Sequence, residues 1–342
     1  MSGFFSQTGA EVREAPAALQ RQAAALASPI GQLIAVLRKR SARVVITCAR
    51  GSSAHAATFA KHLIERHLGI PVSAAAPNVV SVYRRALALE GQLFLAISQA
   101  GRSVDIVETA AMARSSGAMT VAIVNDTGSP LAQTCEVVLP MEAGAELSVA
   151  ATKSFIASLA VLLRLTAAWA DNATLQRGID SLSERLAAAI ELDWSAAIAS
   201  LASTRSVMAI GRGPTLAIAR EAALKLKEAC NLHAEAFSTA EFQHGPIALV
   251  EEAYPVLLFA PTDEAARGVE TLRLDLAQKG ASVFSTERLS GPEFLPTLEP
   301  DQPDADAVCQ IQTFYQLLLQ VAARRGSDVD RPRHLKKVTT TR

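Results

Sequence analysis

At 342 residues the chain is longer than one hydrophobic core usually supports, since single cores stop growing near about 250 to 300 residues, and two domains are expected. Half of the residues are apolar, 19% are charged and only 5% are aromatic, a composition suited to helices packed on buried strands. The 33 lysines and arginines balance the 33 aspartates and glutamates, which excludes the broad basic field of a nucleic-acid or membrane-surface binder and leaves room only for a local anion site.

Residues 1–40 read as an N-terminal helical arm, with Ala and Leu at helical spacing from residue 12 onward. From Arg43 short apolar runs alternate with amphipathic stretches: VVITC (44–48), PVSAAA (71–76), LFLAIS (93–98), MTVAIV (119–124) and EVVLP (136–140). Strands alternating with helices predict a parallel sheet, so 41–170 is expected to form a first domain. The apolar stretch 155–170 is broken by Arg164 and is shorter than the ~20 residues that cross a bilayer, so it reads as a buried or interface helix. A helical linker is expected over 171–204. The rhythm restarts in 205–326 with SVMAIG (206–211), a helix over 215–230, PVLLFA (255–260) and ASVFS (281–285), and a basic tail occupies 327–342.

The segments VITCARGSSAHAA (45–57) and VMAIGRGPTLAIA (207–219) align without gaps at an offset of 162, which sets Arg50-Gly51 on Arg212-Gly213. Each contains a strand, an Arg-Gly turn and a helix start, the place where open parallel sheets bind ligands. The expected fold is therefore α/β: two tandem doubly wound parallel-sheet domains, each a three-layer α/β/α sandwich. Cys48, Cys135, Cys230 and Cys309 show no CxxC pair and no histidine at ligand spacing, so they read as buried reduced thiols, with no metal and no cofactor expected. Glu11, Arg13 and Glu14 stand where a signal peptide would be apolar, and a cytoplasmic location is expected.

Two loops invite an anion. Gly51-Ser52-Ser53 follows the first strand, where small residues let the backbone approach and the helix N-terminus supplies unpaired N–H groups; a plain serine N-cap would use the same residues. Ser98-Gln99-Ala100-Gly101-Arg102-Ser103 follows the third apolar run and makes a second nest toward the same sheet edge. Arg102 reads equally as a ligand contact or as an exposed arginine at a helix start. In the second repeat Pro261-Thr262-Asp263-Glu264 fills the matching place, where acidic residues would repel a phosphate, so one phosphate site is expected per chain.

Functional residue types are densest over 221–251. Glu221, Lys225 and Glu228 share one helical stripe, which reads either as a solvated salt-bridge face or as an array for chemistry. His244 precedes Gly245-Pro246, a setting compatible with a structural turn or with catalysis.

Taken together, ARGSS (49–53), SQAGRS (98–103), VAATKS (149–154), ALKLKE (223–228), HAEAF (233–237), HGP (244–246) and RPRHLKKVT (331–339) resemble the SIS (sugar isomerase) family. They closely resemble the isomerase half of glucosamine-6-phosphate synthase, and more closely still stand-alone SIS-type glucosamine-6-phosphate deaminases. The resemblance implies that Ser52, Ser53, Ser98, Gln99 and Ser103 bind the sugar phosphate in loops shaped by Gly51 and Gly101, with Val149 in the pocket wall. It makes Glu228 the carboxylate base, gives Lys225 the orienting or polarising of the opened sugar and His244 the ring opening at a neighbouring subunit's site, and brings Lys337 of the tail to the keto carbon. It also implies a homodimer with shared active sites, for which the apolar stretch 155–170 would supply surface. Ala100 and Ala151 stand where the synthase pattern has serines, which removes one hydroxyl at each place.

Moving a proton between C1 and C2 of an opened sugar needs one carboxylate on one face, and opening the ring suits histidine. The chain shows no glutamine-hydrolysing domain, so the expected reaction releases ammonia: glucosamine 6-phosphate to fructose 6-phosphate. A fructosamine-6-phosphate deglycase, an ammonia-using isomerase and a non-catalytic sugar-phosphate sensor are the alternatives. The gluco or galacto epimer, the direction in the cell and any allosteric ligand stay open.

Overall fold

Ser6 starts the first helix, α1 (Gln7–Arg13), by accepting the Gly9 amide at 3.0 Å on its hydroxyl. The second, α2 (Ala15–Lys39), buries the stripe Ala18, Leu19, Leu26, Leu33 and Leu37. The computed structural model describes residues 6–40, 42–287, 291 and 293–337, so the outermost parts of the expected arm and tail lie outside the described residues.

The first sheet is built from β1 (Val45–Ala49), α3 (Ser52–Leu68), β2 (Val72–Ala74), α4 (Pro77–Ser81), β3 (Leu93–Ser98), α5 (Val104–Ser115), β4 (Met119–Val124), α6 (Pro130–Thr134) and β5 (Val137–Pro140). Its strands are all parallel in the order β2-β1-β3-β4-β5. Every residue of β3 is buried, which is why LFLAIS reads as an unbroken apolar run rather than an alternating one. Two further helices follow, α7 (Lys153–Ala170) and α8 (Ala173–Asp180). α7 packs on α3 and α8, and residues 155–163 are buried throughout. Of the two readings of this stretch, a buried or an interface helix, residues 155–163 take the buried one, whereas residues 164 and 168–170 stay partly exposed. α7 is long and apolar enough to cross a bilayer by length and composition, and 78% of it is buried inside the protein.

The remaining elements are α9 (Leu182–Ile190), α10 (Ile198–Ser203), β6 (Ser206–Gly211), α11 (Thr215–Cys230), β7 (His233–Ser238), α12 (Thr239–Gln243), β8 (Pro255–Phe259), α13 (Val269–Gln278), β9 (Ser282–Ser285) and α14 (Pro303–Arg324). The second sheet is parallel in the order β7-β6-β8-β9. The alternation in HAEAFS makes β7 an edge strand that the apolar-run reading passed over.

The chain divides into two compact units that are not continuous in sequence. One holds the first sheet, Ala17–Glu146 and Lys153–Asp180, together with Lys336 and Lys337. The other holds the second sheet, Ser181–Leu335, together with Leu147–Thr152 and the described residues up to Pro16. The helical arm and the expected linker are therefore each shared out between the units. In each sheet the strand order reverses once, between β1 and β3 and between β6 and β8, and the carboxyl ends of the strands at such switch points are where open parallel sheets bind ligands.

Candidate functional site

At the first switch point the two serine loops leave the adjacent, hydrogen-bonded strands β1 and β3. Gly51 adopts φ 54° as the N-cap of α3, and Ser52 and Ser53 form the first turn, both half-buried. Ser103 is the N-cap of α5 yet makes no side-chain capping bond, which leaves its hydroxyl outside the helix's own hydrogen bonding. Two helices of 17 and 12 residues thus start at this edge and bring their positive ends with them.

The second loop is held from behind. The Gly101 amide donates to Ser98 Oγ at 3.2 Å, the Leu131 amide donates to the Gly101 carbonyl at 3.1 Å, and the Asn125 amide donates to the Gln99 carbonyl at 3.0 Å. Gly101 sits at φ 61°, and a Cβ there would lie 2.2 Å from Ser129 Oγ, so only glycine fits. A brace unforeseen from the sequence joins the loops: Arg50 donates from Nε at 3.0 Å and from its terminal nitrogen at 2.6 Å to Asp105, whose side chain is 1% exposed. Arg102 is exposed and pairs with Asp126 at 2.8 Å.

In the same unit Lys337 reaches Glu146, its Nζ 3.3 Å from Oε2 of that buried carboxylate. Val149 is half-buried in the segment grouped with the other unit.

In the second unit the stripe on α11 is buried and not solvated. Lys225 is 1% exposed, hydrogen-bonds Glu228 Oε2, and has Glu221, fully buried, 3.6 Å away; Glu228 keeps 22% exposure. α11 packs against β6, β7, β8 and α14, which drives its whole length inward, and it ends on Asn231 in the left-handed region. Lys225 thus lies between two carboxylates, of which Glu228 alone is partly exposed. His244 is the exposed C-cap of α12, its amide donating to the Glu241 carbonyl at 3.1 Å.

The matching loop of the second repeat is closed. Thr215, fully buried, bonds the Phe259 carbonyl through its hydroxyl at 2.6 Å and accepts the Arg212 amide at 3.0 Å. Thr262 is engaged by Asp306 at 2.7 Å, and Asp263 accepts the Ala265 amide at 2.9 Å. All four cysteines are buried free thiols, each pushed up to about 12 chiefly by burial. Among the described residues no group of three or more His, Cys, Asp or Glu side chains could hold a metal ion.

Parallel sheets with serine-rich loops at a switch point, and a buried Lys-Glu array on a following helix, define a sugar-phosphate isomerase type of protein. A family profile for the SIS domain matches residues 39–168 and 200–285, and the chain belongs to the SIS domain family. It is 33% identical over 320 residues to the glutamine–fructose-6-phosphate aminotransferase (isomerizing) of Bradyrhizobium diazoefficiens, covering 88% of this chain and 52% of that protein. The corresponding protein of Symbiobacterium thermophilum is 34% identical over 323 residues, again covering 88% and 52%. The chain thus spans about half the length of the curated relatives it matches. Among solved structures, a protein of Silicibacter pomeroyi DSS-3 provisionally described as a phosphosugar isomerase superposes with a TM-score of 0.91 at 40% identity, covering 95% of this chain and all of that one. The C-terminal domain of the glucosamine-fructose-6-phosphate aminotransferase of Francisella tularensis gives 0.86 at 25% identity, covering 96% and 99%.

Proposed function

We propose that this chain deaminates and isomerises an amino-sugar phosphate, taking glucosamine 6-phosphate to fructose 6-phosphate and ammonia. The observation that carries the reading is the Lys225–Glu228 pair: a buried ammonium fixed against a partly exposed carboxylate, in a chain that also has two braced serine loops at one switch point. Ser52, Ser53, Ser98, Gln99 and Ser103, with the backbone at Gly51 and Gly101, take the phosphate and part of the sugar, with Val149 against the sugar. His244 opens the ring, acting on a partner subunit's site in a homodimer. Glu228 then moves one proton between C2 and C1, which leaves an imine-bearing carbon at C2 that water hydrolyses to the ketone with loss of ammonia. Lys225 keeps Glu228 oriented, and Lys337 polarises the carbonyl carbon.

The test is ammonia and fructose 6-phosphate formation from glucosamine 6-phosphate, run beside its galacto epimer, its N-acetyl derivative and a fructosamine 6-phosphate. Release of ammonia from the amino-sugar phosphates supports the proposal. Preference for the fructosamine would make the chain a deglycase. Tight binding of fructose 6-phosphate with no turnover of any of them would make it a sensor and overturn the catalytic reading.

A further inference from the structure

No motif in the sequence points to Glu146, which lies between β5 and α7. Its side chain is fully buried, and three donors converge on its carboxylate: the Ser154 amide at 3.1 Å, the Ser154 hydroxyl at 2.6 Å and the Lys337 ammonium at 3.3 Å. Ser154 belongs to the first turn of α7, an 18-residue helix whose unpaired amides and dipole favour an anion at that end. The two bonds from Ser154 fix Glu146 to the helix independently of the tail. Lys337 then comes to a carboxylate that is already in place.

A second observation concerns the tail. Arg333, His334, Leu335 and Lys336 are all exposed, whereas Lys337 is half-buried, so burial along this stretch returns at the residue that meets Glu146. Lys336 and Lys337 also group with the first-sheet unit, while the chain from Ser181 to Leu335 groups with the second. A free lysine side chain surrenders rotamer entropy when it is localised, and a fixed counter-ion meets that cost before any ligand arrives.

We propose that Glu146 is the positioning residue of the tail lysine, an α7-anchored carboxylate that holds Lys337 in one place on the first-sheet unit and acts only through it. The proposal rests on Lys337 being the amine that meets the substrate's carbonyl carbon. Glu146 itself touches Lys337 and not the sugar. Ser154 serves as the clamp that keeps the carboxylate pointed at the tail.

The experiment uses the full chain with Glu146→Ala, Glu146→Gln, Lys337→Ala and the Glu146→Ala/Lys337→Ala pair. With glucosamine 6-phosphate, Glu146→Ala is expected to lower kcat roughly tenfold or more with KM within about twofold, a loss confined to a step after binding. The double variant is expected to match Lys337→Ala within about twofold, because a residue that works through Lys337 has nothing left to position. Losses that multiply in the double variant overturn the proposal. A readout free of turnover separates this idea from the proposed reaction: the rate of tryptic cleavage at Lys336 and Lys337, followed by mass spectrometry. Both Glu146 variants are expected to speed that cleavage roughly fivefold or more, and in Glu146→Gln the melting temperature and cleavage elsewhere stay unchanged. Glu146→Gln keeps a side chain that Ser154 can still hydrogen-bond, so it reports on the ion pair even where Glu146→Ala folds poorly. Unchanged tail cleavage in Glu146→Gln overturns the tether. Faster cleavage in a protein that turns over no sugar phosphate upholds the tether and sinks the reaction instead.

Discussion

Gly51 and Gly213 occupy equivalent positions of the internal repeat and share a positive φ, 54° and 56°, yet the residues after them behave in opposite ways. After Gly51 the helix opens with two half-buried serines, and a Cβ on the glycine would meet nothing within 4 Å. After Gly213 the helix opens with Thr215, whose hydroxyl crosses the switch point to the last carbonyl of β8. Gly211 belongs to this closure, since a Cβ there would lie 2.3 Å from the Thr215 carbonyl oxygen. One turn geometry therefore yields a helix start with half-buried hydroxyls or a packed junction, according to which way a single side-chain oxygen is used. The first unit keeps its polar groups at the helix start, and the second carries its charges along the body and far end of α11.

The comparison breaks most sharply at Glu228. Glu228→Gln is expected to cost about 10²–10⁴-fold in kcat, while fructose 6-phosphate still raises the melting temperature of the variant. Full turnover would remove the catalytic role from the second unit. Next in size is the pair Ser52→Ala and Ser103→Ala, where each lost bond to a charged phosphate is worth about 1.5–3 kcal/mol, so KM should rise roughly tenfold or more for each, with kcat less affected. Thr215→Ala sharpens the contrast, because it should leave KM alone and lower unfolding free energy by about 1–3 kcal/mol through the polar groups it strands. Denaturant titration beside Michaelis kinetics would check both, and a KM effect at Thr215 would blur the division of labour.

Gly101→Ala should be felt in both quantities, since the left-handed backbone alone costs about 1–2 kcal/mol for a residue with a Cβ and the collision with Ser129 adds to it. Both a lower melting temperature and a raised KM are expected. The smallest effect concerns the thiols. Their values are raised from 9.0 to about 12 in the folded chain. The unfolded chain therefore loses these protons first, and the contribution to stability is whole below pH 9 and is lost as pH climbs from there toward about 12. At pH 8 native protein should not react with a thiol reagent, and unfolding should expose all four cysteines.

Much of this was legible in the sequence because it is local. The strands around β1, β3, β4, β6 and β8 are apolar runs between turn residues, and the repeat aligns Gly51 with Gly213. The loops 51–53 and 98–103 were readable as small and hydroxyl-bearing. What escaped depends on partners distant in sequence. Asp105 is an ordinary first-turn acid until Arg50 arrives from 55 residues away. Glu146 is one glutamate among many until Lys337, 191 residues on, reaches it. The stripe Glu221, Lys225, Glu228 has the spacing of a solvated helix face, and only packing on β6, β7, β8 and α14 turns it inward. The same limit applies to α7, whose composition suits a buried or an interface helix alike and whose packing on α3 and α8 no local pattern announces.

The discontinuous make-up of the units has a practical meaning for anyone who would dissect the protein. Expressing residues 41–170 alone would omit Ala17 to Arg40 and the two tail lysines from the first-sheet unit. Expressing 205–326 alone would omit α1, α9 and α10, along with the bond from Gln312 Nε2 to the Val12 carbonyl at 2.9 Å and the Asp330 carboxylate that accepts the Thr8 backbone amide at 2.8 Å. Neither half can be cut out as one uninterrupted stretch, so fragment swapping between relatives of this kind has to carry the ends of the polypeptide along with the middle.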